Sequence, residues 1–145
     1  MTEFVQSKFN EPERYEGWTD ESGCGRLSTC LKYSRIDSTS NIDFLILVVK
    51  RLSLDERGNL TINQKRIEIT DLSLQATYGV SIKFKPIAVI YHSGNVVGKD
   101  TRGHYMADVL DFKTNQWIRT SDDDPPKTVL QPSNLGYIYL FKKIA

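Results

Sequence analysis

Hydrophobic positions along this chain fall into short runs with two kinds of spacing, and together they predict a mostly antiparallel β structure. Phe44-Leu45-Ile46-Leu47-Val48-Val49 is an unbroken apolar run with β-branched content. That is the pattern of a central strand buried on both faces. Lys50-Arg51-Leu52 carries it to a surface turn at Asp55-Glu56-Arg57-Gly58-Asn59. Beyond the turn the spacing changes to two: Leu60 and Ile62, then Ile67 and Ile69, alternate with polar residues. A period of two places one face inward, so these segments predict half-buried strands.

Ser81 to Lys85 alternates again and runs through Pro86 into Ile87-Ala88-Val89-Ile90-Tyr91. Proline has no amide hydrogen to give a ladder, which places Pro86 at a bulge or a sheet edge. Gly94 and Gly98 mark residues 93–102 as a flexible loop. A strand over His104–Phe112, a turn at Lys113-Thr114-Asn115, a return strand Gln116–Thr120 and a last strand Tyr137–Ile144 complete the pattern. Between the last two, Asp122–Pro132 reads as a loop stiffened by Pro125-Pro126. Residues 1–40 are polar and without periodicity, an irregular segment with at most a short helix at Glu3–Phe9. The division is therefore 1–40 irregular and 41–145 a β-rich domain.

Chemistry enters at Gly103-His104-Tyr105. An imidazole at the mouth of a strand is half of a general-base site when a carboxylate returns beside it. With the hairpin turn centred near Asn115, paired residue numbers sum to about 229, which brings Asp122–Asp124 alongside Ala107 down to Tyr105. A carboxylate there would hold one tautomer of His104. The plainer alternative is a solvated acidic turn beside a histidine at the edge of the core.

Composition narrows the field. With 145 residues, 19 basic and 18 acidic side chains and a formal charge of +1, the chain has the size and balance of one globular domain. No basic stretch marks a nucleic-acid partner. The longest apolar run, six residues from Phe44 to Val49, is far short of a membrane span of about 20 residues. No signal pattern stands at the N-terminus, so a cytoplasmic or nuclear location is expected. Cys24 and Cys30 are two thiols where a structural zinc site needs four ligands. No metal and no cofactor is expected.

The order of these pieces resembles the C-terminal part of the ubiquitin-specific proteases, the papain-like cysteine deubiquitinases. Ile87-Ala88-Val89-Ile90-Tyr91-His92-Ser93-Gly94, then Gly103-His104-Tyr105, then Trp117 and an aspartate cluster, follow the family's order. Upstream, Phe44 to Leu52 looks like its apolar strand ending in Leu-Lys-Arg-Phe, and Glu68-Ile69 like the segment after it. Downstream, Tyr137-Ile138-Tyr139-Leu140-Phe141 looks like its closing strand. The resemblance implies an antiparallel palm-type sheet within an α+β papain-like fold, with the helical thumb half missing. It also implies that His104 is the general base toward a cysteine thiolate. The loop Gly94–Gly103, with His92, Ser93 and Tyr105, then borders the groove for the C-terminal tail of ubiquitin. Ubiquitin or a ubiquitinated protein becomes the implied partner, together with an N-terminal catalytic half.

The sequence departs from that family in three places. Counted from Trp117, the orienting Asp or Asn falls on Ser121, with Asp122 next to it; a one-residue bulge would let Asp122 take the role. No Asn-Thr-Cys box supplies a nucleophile, Thr29-Cys30 being only an echo of it. Ile42-Asp43 stands for Leu-Pro, and Leu52 for Phe. Three readings follow: the histidine-bearing half of a deubiquitinase, an inactive relative that binds ubiquitin or another protein, or an unrelated β-rich interaction module. In the first two, a palm sheet by itself leaves an apolar face bare unless the first forty residues cover it.

Overall fold

The computed structural model describes residues 6–7, 13–16, 29–32, 41–97, 100–122 and 124–144. The helix expected at Glu3–Phe9 lies outside them except for Gln6 and Ser7, which are helical; Cys24 also lies outside. The chain divides into two compact units, Met1–Asn41 with Leu72–Lys83, and Ile42–Asp71 with Phe84–Ala145.

In the first unit, β1 (Glu13–Glu16) and β2 (Thr29–Lys32) form an antiparallel hairpin with Tyr15 opposite Cys30. Residues 1–40 are therefore not irregular throughout. In the second unit, β3 (Phe44–Val48) leads to a small hairpin of β4 (Leu52–Leu54) and β5 (Leu60–Ile62). The Asp55 carboxylate closes its turn by accepting from the amides of Arg57 (2.9 Å) and Asn59 (2.8 Å). Those bonds, the one to the Asn59 amide foremost, hold the Asp55 carboxyl below its ordinary value.

β6 (Leu72–Gln75) follows in the first unit, a strand not evident from the sequence pattern. A single 3-10 turn, Thr77–Gly79, leads from it into the long β7 (Ser81–Val97), with which it pairs. Ile67 and Ile69 are half-buried but not in a strand. One bond, from the Ile67 amide to the Asn134 carbonyl (2.9 Å), ties that stretch down.

β8 (Asp100–Asp111), β9 (Gln116–Thr120), β10 (Lys127–Val129) and β11 (Ile138–Lys143) complete an antiparallel sheet ordered β10-β9-β8-β7-β11-β3. Almost no helix occurs among the described residues. The expected mostly-β, palm-type sheet is the one present. Ala88 faces Leu140 and Pro86 faces Phe141, so Ile87 is the extra residue of a bulge. Pro86 stands next to that bulge, a place in a sheet where proline is tolerated.

Four details of the expected layout change. First, the apolar run at Phe44–Val49 is not central: β3 ends the strand order, and Phe44, Ile46 and Val48 are 53%, 61% and 73% exposed. An unbroken apolar run does not say whether both of its faces find partners. Second, residues 93–97 and 100–102 are strand where a loop was expected. β7 and β8 stay paired through Gly94↔Gly103, Asn95↔Arg102, Val96↔Thr101 and Val97↔Asp100. Third, Lys127–Val129 pairs with β9 inside the segment read as a proline-stiffened loop. Fourth, Lys50-Arg51-Leu52 does not carry the strand on toward the turn: β3 ends at Val48, and Arg51 is 3% exposed.

The alternation of the ladders sorts side chains onto two faces. Leu47, Tyr139, Val89, Asp108 and Arg119 stand opposite one another across five strands. With Phe141, Tyr91 and Leu110 they make up the inward face, on which Leu47 and Arg119 are half-buried and the others buried. The other face carries Ile46, Leu140, Ala88, Val109 and Ile118 in the same cross-strand sequence, and its members are half-buried or exposed.

Buried Arg51 ties loops to this core. Its Nε donates to the Gly136 carbonyl (2.8 Å), Nη1 to those of Asn63 (2.9 Å) and Lys65 (2.7 Å), and Nη2 to that of Asn134 (3.4 Å). Gly136 must be glycine, because a Cβ there would stand 2.6 Å from both the Tyr139 ring and Val89 Cγ1.

Candidate functional site

The local chain path around His104 is set by two glycines facing each other. Gly103 has φ +140, a conformation that side chains rarely adopt, and a Cβ there would overlap the carbonyl oxygen of Ser93. Only glycine lets β7 and β8 approach so closely. The next pair in the ladder is Ser93 with His104, and the one after is His92 with Tyr105.

His104 is half-buried and lies four residues inside β8 rather than at the mouth of a strand, because the pairing with β7 runs on to Asp100. Ser121 Oγ approaches its Nε2 at 3.5 Å, at the long limit of a hydrogen bond, with donor and acceptor set by the ring tautomer. Asp122, the adjacent residue, is exposed. The recorded β8–β9 pairs have numbers summing to 227, as in Ala107↔Thr120 and Leu110↔Trp117, where the sequence reading placed the sum near 229. The turn itself explains the difference: Asn115 takes a left-handed φ of 55 at the last turn position, so the turn centres between Lys113 and Thr114.

Neighbours on a strand project to opposite faces. Tyr105 accordingly leaves the side of His104 and joins His92 and Tyr137. Ring centroids are 5.0 Å apart for His92–Tyr105, 6.4 Å for His92–Tyr137 and 6.3 Å for Tyr105–Tyr137, all edge-to-face. Tyr105 is 61% exposed, and Ser93, Gly94 and Gly103 are exposed as well. Burial raises the Tyr137 phenol above its ordinary 10.0, and Tyr105 beside it adds to that rise. The structure thus brings His104 to Ser121, and His92 to Tyr105, as two groups on opposite faces of the same strand pair.

A group that sequence reasoning did not find lies four residues further along β8, on the same face as the imidazole. Asp108 is fully buried and accepts from Arg119 through two bonds, Nε to Oδ1 (2.9 Å) and Nη2 to Oδ2 (3.1 Å). The Ser133 amide donates to Oδ2 (2.7 Å) and the Tyr91 hydroxyl to Oδ1 (3.5 Å). Arg119 also lies over the Tyr91 ring, 5.4 Å from its centroid. The bond to Asp108 raises the Arg119 guanidinium further, while burial raises the Tyr91 phenol and Asp108 raises it more. Arg119 and Ser121 together line a small pocket with Met106, Asp124, Pro125 and Lys127. The sequence signal was faint: an acid on β8 and a base on β9 on the same face.

Among the described residues no three metal-binding side chains gather, and no helix is long and apolar enough to cross a membrane.

The fold is thus a helix-poor, antiparallel palm-type sheet that carries a glycine-backed histidine on one of its inner strands. No family model matches the chain. It is 32% identical over 111 residues to ubiquitin carboxyl-terminal hydrolase A of Dictyostelium discoideum; this is 77% of the chain but 12% of that relative's length. Its fold matches a chain of the yeast SAGA DUBm, in a structure with a mutant Sgf73, with TM-score 0.64 and 16% identity, over 98% of this chain and 33% of that one. The Ubp8-Sgf11-Sgf73-Sus1 SAGA DUB module gives TM-score 0.61 at 19% identity, over 92% and 29%. An essential yeast splicing factor gives TM-score 0.52 at 19%, over 74% and 26%. The chain is similar to the C-terminal part of a ubiquitin-specific protease catalytic domain, and it spans about an eighth of the curated relative it matches.

Proposed function

We propose that this chain is the histidine-bearing part of a deubiquitinase-type site and does not hydrolyse ubiquitin conjugates by itself. The observation that carries this is His104 within β8, next to Gly103, with Ser121 Oγ 3.5 Å from its Nε2, in a chain with the sequence match above. In the reaction, a thiol supplied by an N-terminal catalytic half gives its proton to His104. The resulting thiolate attacks the carbonyl carbon of ubiquitin's last glycine. The bond to the lysine nitrogen breaks, the imidazolium returns its proton to that amine, and water then hydrolyses the thioester. Ser121, or Asp122 after a small rearrangement, orients the ring. Ser93, Gly94 and Gly103 line the path of the ubiquitin tail, and His92 and Tyr105 support it from the opposite face. The setting is cytoplasmic or nuclear.

A second reading is an inactive relative that keeps only the binding surface. Ser121 favours it, since a hydroxyl stabilises an imidazolium less than a carboxylate does, as does the absence of an Asn-Thr-Cys box from this sequence. A fold shared with a splicing factor also fits it. Titrating the chain with ubiquitin and following amide resonances tests both. The largest changes are expected at Ser93, Gly94, Gly103 and Tyr105, and their immobility overturns the assignment. Ubiquitin bearing a thiol-reactive C-terminus is expected to leave the chain unlabelled; labelling that Cys30→Ala abolishes would overturn the claim that no nucleophile is present.

A further inference from the structure

We propose that the buried Asp108–Arg119 pair is the positioning device that holds Ser121 against His104. The role rests on reading those two residues as the paired groups of the site. Ser121 lies beyond the last recorded pair of the β8–β9 ladder, Ala107↔Thr120, so the ladder itself stops short of it. Arg119, two residues earlier on the same face, is the last residue of β9 paired on both sides, to Asp108 and to Lys127. Asp108 stands four residues after His104, again on the same face. The salt bridge therefore crosses the two strands just before they lead into the imidazole and the hydroxyl.

The chemistry of the pair argues for placement rather than adhesion. Asp108 is 0% exposed and Arg119 29%, so both charges lose hydration. A well-packed apolar pair at such a position generally matches a buried ion pair in stability. What an apolar pair does not supply is a unique register. The two-pronged bond from Nε and Nη2 admits one alignment of β8 against β9, and a slip of one residue would turn every side chain to the wrong face. The carboxylate also accepts from Ser133 and Tyr91, so the segment before β11 and the neighbouring strand β7 are tied to the same point. Thr120 Oγ1, donating to the Ala107 carbonyl (3.1 Å), closes the last step of the ladder.

The test is a coupling measurement on the whole chain. Ser121→Ala should move the Nε2 nitrogen resonance of His104. In the Asp108→Leu/Arg119→Leu background the chain should still unfold cooperatively, yet Ser121→Ala should lose most of its effect on that resonance. Asp108→Asn, which keeps the volume and the acceptor for the Ser133 amide, should give the same loss, and it serves if the double variant does not fold. Arg119→Lys should restore part of the coupling. An undiminished effect of Ser121→Ala in a folded variant overturns the proposal. A ubiquitin titration on the unsubstituted chain stands apart: coupling without ubiquitin binding leaves the clamp standing and removes the deubiquitinase reading, and binding without coupling does the reverse.

Discussion

Two buried charged residues, Arg51 and Asp108, sit in the same unit and are satisfied in opposite ways. Arg51 donates to four backbone carbonyls, those of Gly136, Asn63, Lys65 and Asn134. Asp108 meets a cation, a backbone amide and a phenol from separate parts of the sheet. The first arrangement suits loops, whose carbonyls have no ladder to enter and would otherwise be orphaned. The second suits paired strands, where the backbone is already bonded and only side chains remain to choose the alignment. Arg51 thus supports irregular chain, while Asp108 and Arg119 set regular chain in register.

Arg119→Met should separate these roles with the largest effect. It strands a fully buried carboxylate, and the loss should be about 3–5 kcal/mol by denaturant titration. Arg51→Met should cost less, about 2 kcal/mol, because the freed carbonyls are partly reachable by water. A larger loss at Arg51 would reverse the comparison.

A smaller effect, of opposite sign, is expected beside Arg51. The Tyr139 hydroxyl is buried near Arg51 and Gly136 but makes no hydrogen bond of good geometry among the described residues. Tyr139→Phe should therefore stabilise the fold by about 1 kcal/mol, read as a higher denaturation midpoint.

The smallest effect concerns alkaline pH. Burial raises the phenols of Tyr139, Tyr91 and Tyr137 above 10.0, although Arg51 pulls Tyr139 the other way. Below pH 10 these phenols are neutral in both folded and unfolded chains, and their contribution is intact. Above it the unfolded chain ionises first, so stability falls as pH rises toward the folded values. Tyr139→Phe should flatten that fall, and an unchanged slope would mean that Tyr139 has no part in it.

Much of the strand layout was legible because it rests on local alternation. Gln116–Thr120 agrees residue for residue with the structure, and the closing strand was placed within a residue at each end. Pro86 could be put at a bulge or an edge from its missing amide alone, and the register shows the bulge. What stayed hidden depends on partners distant in sequence. The run Phe44–Val49 is apolar on both sides, and only the strand order reveals that one side is open. Gly94 and Gly103 read as loop residues because glycine serves loops and close strand approach equally well. Asp108 and Arg119 look like ordinary alternating surface charges until the register pairs them. The same register, shifted by two in the sum of paired numbers, decides that Ser121 approaches the imidazole while Asp122 is exposed. The candidate residues could therefore be named from the sequence, and their arrangement could not.

His92, wedged edge-on among two phenol rings, has one more consequence. Aromatic ring currents displace the resonances of protons held beside them, so the carbon-bound protons of His92 will be shifted away from those of His104. The chain contains only these two histidines. Each imidazole therefore announces itself in a one-dimensional proton spectrum, one on either side of the strand pair, as a built-in pair of reporters that needs no isotopic label.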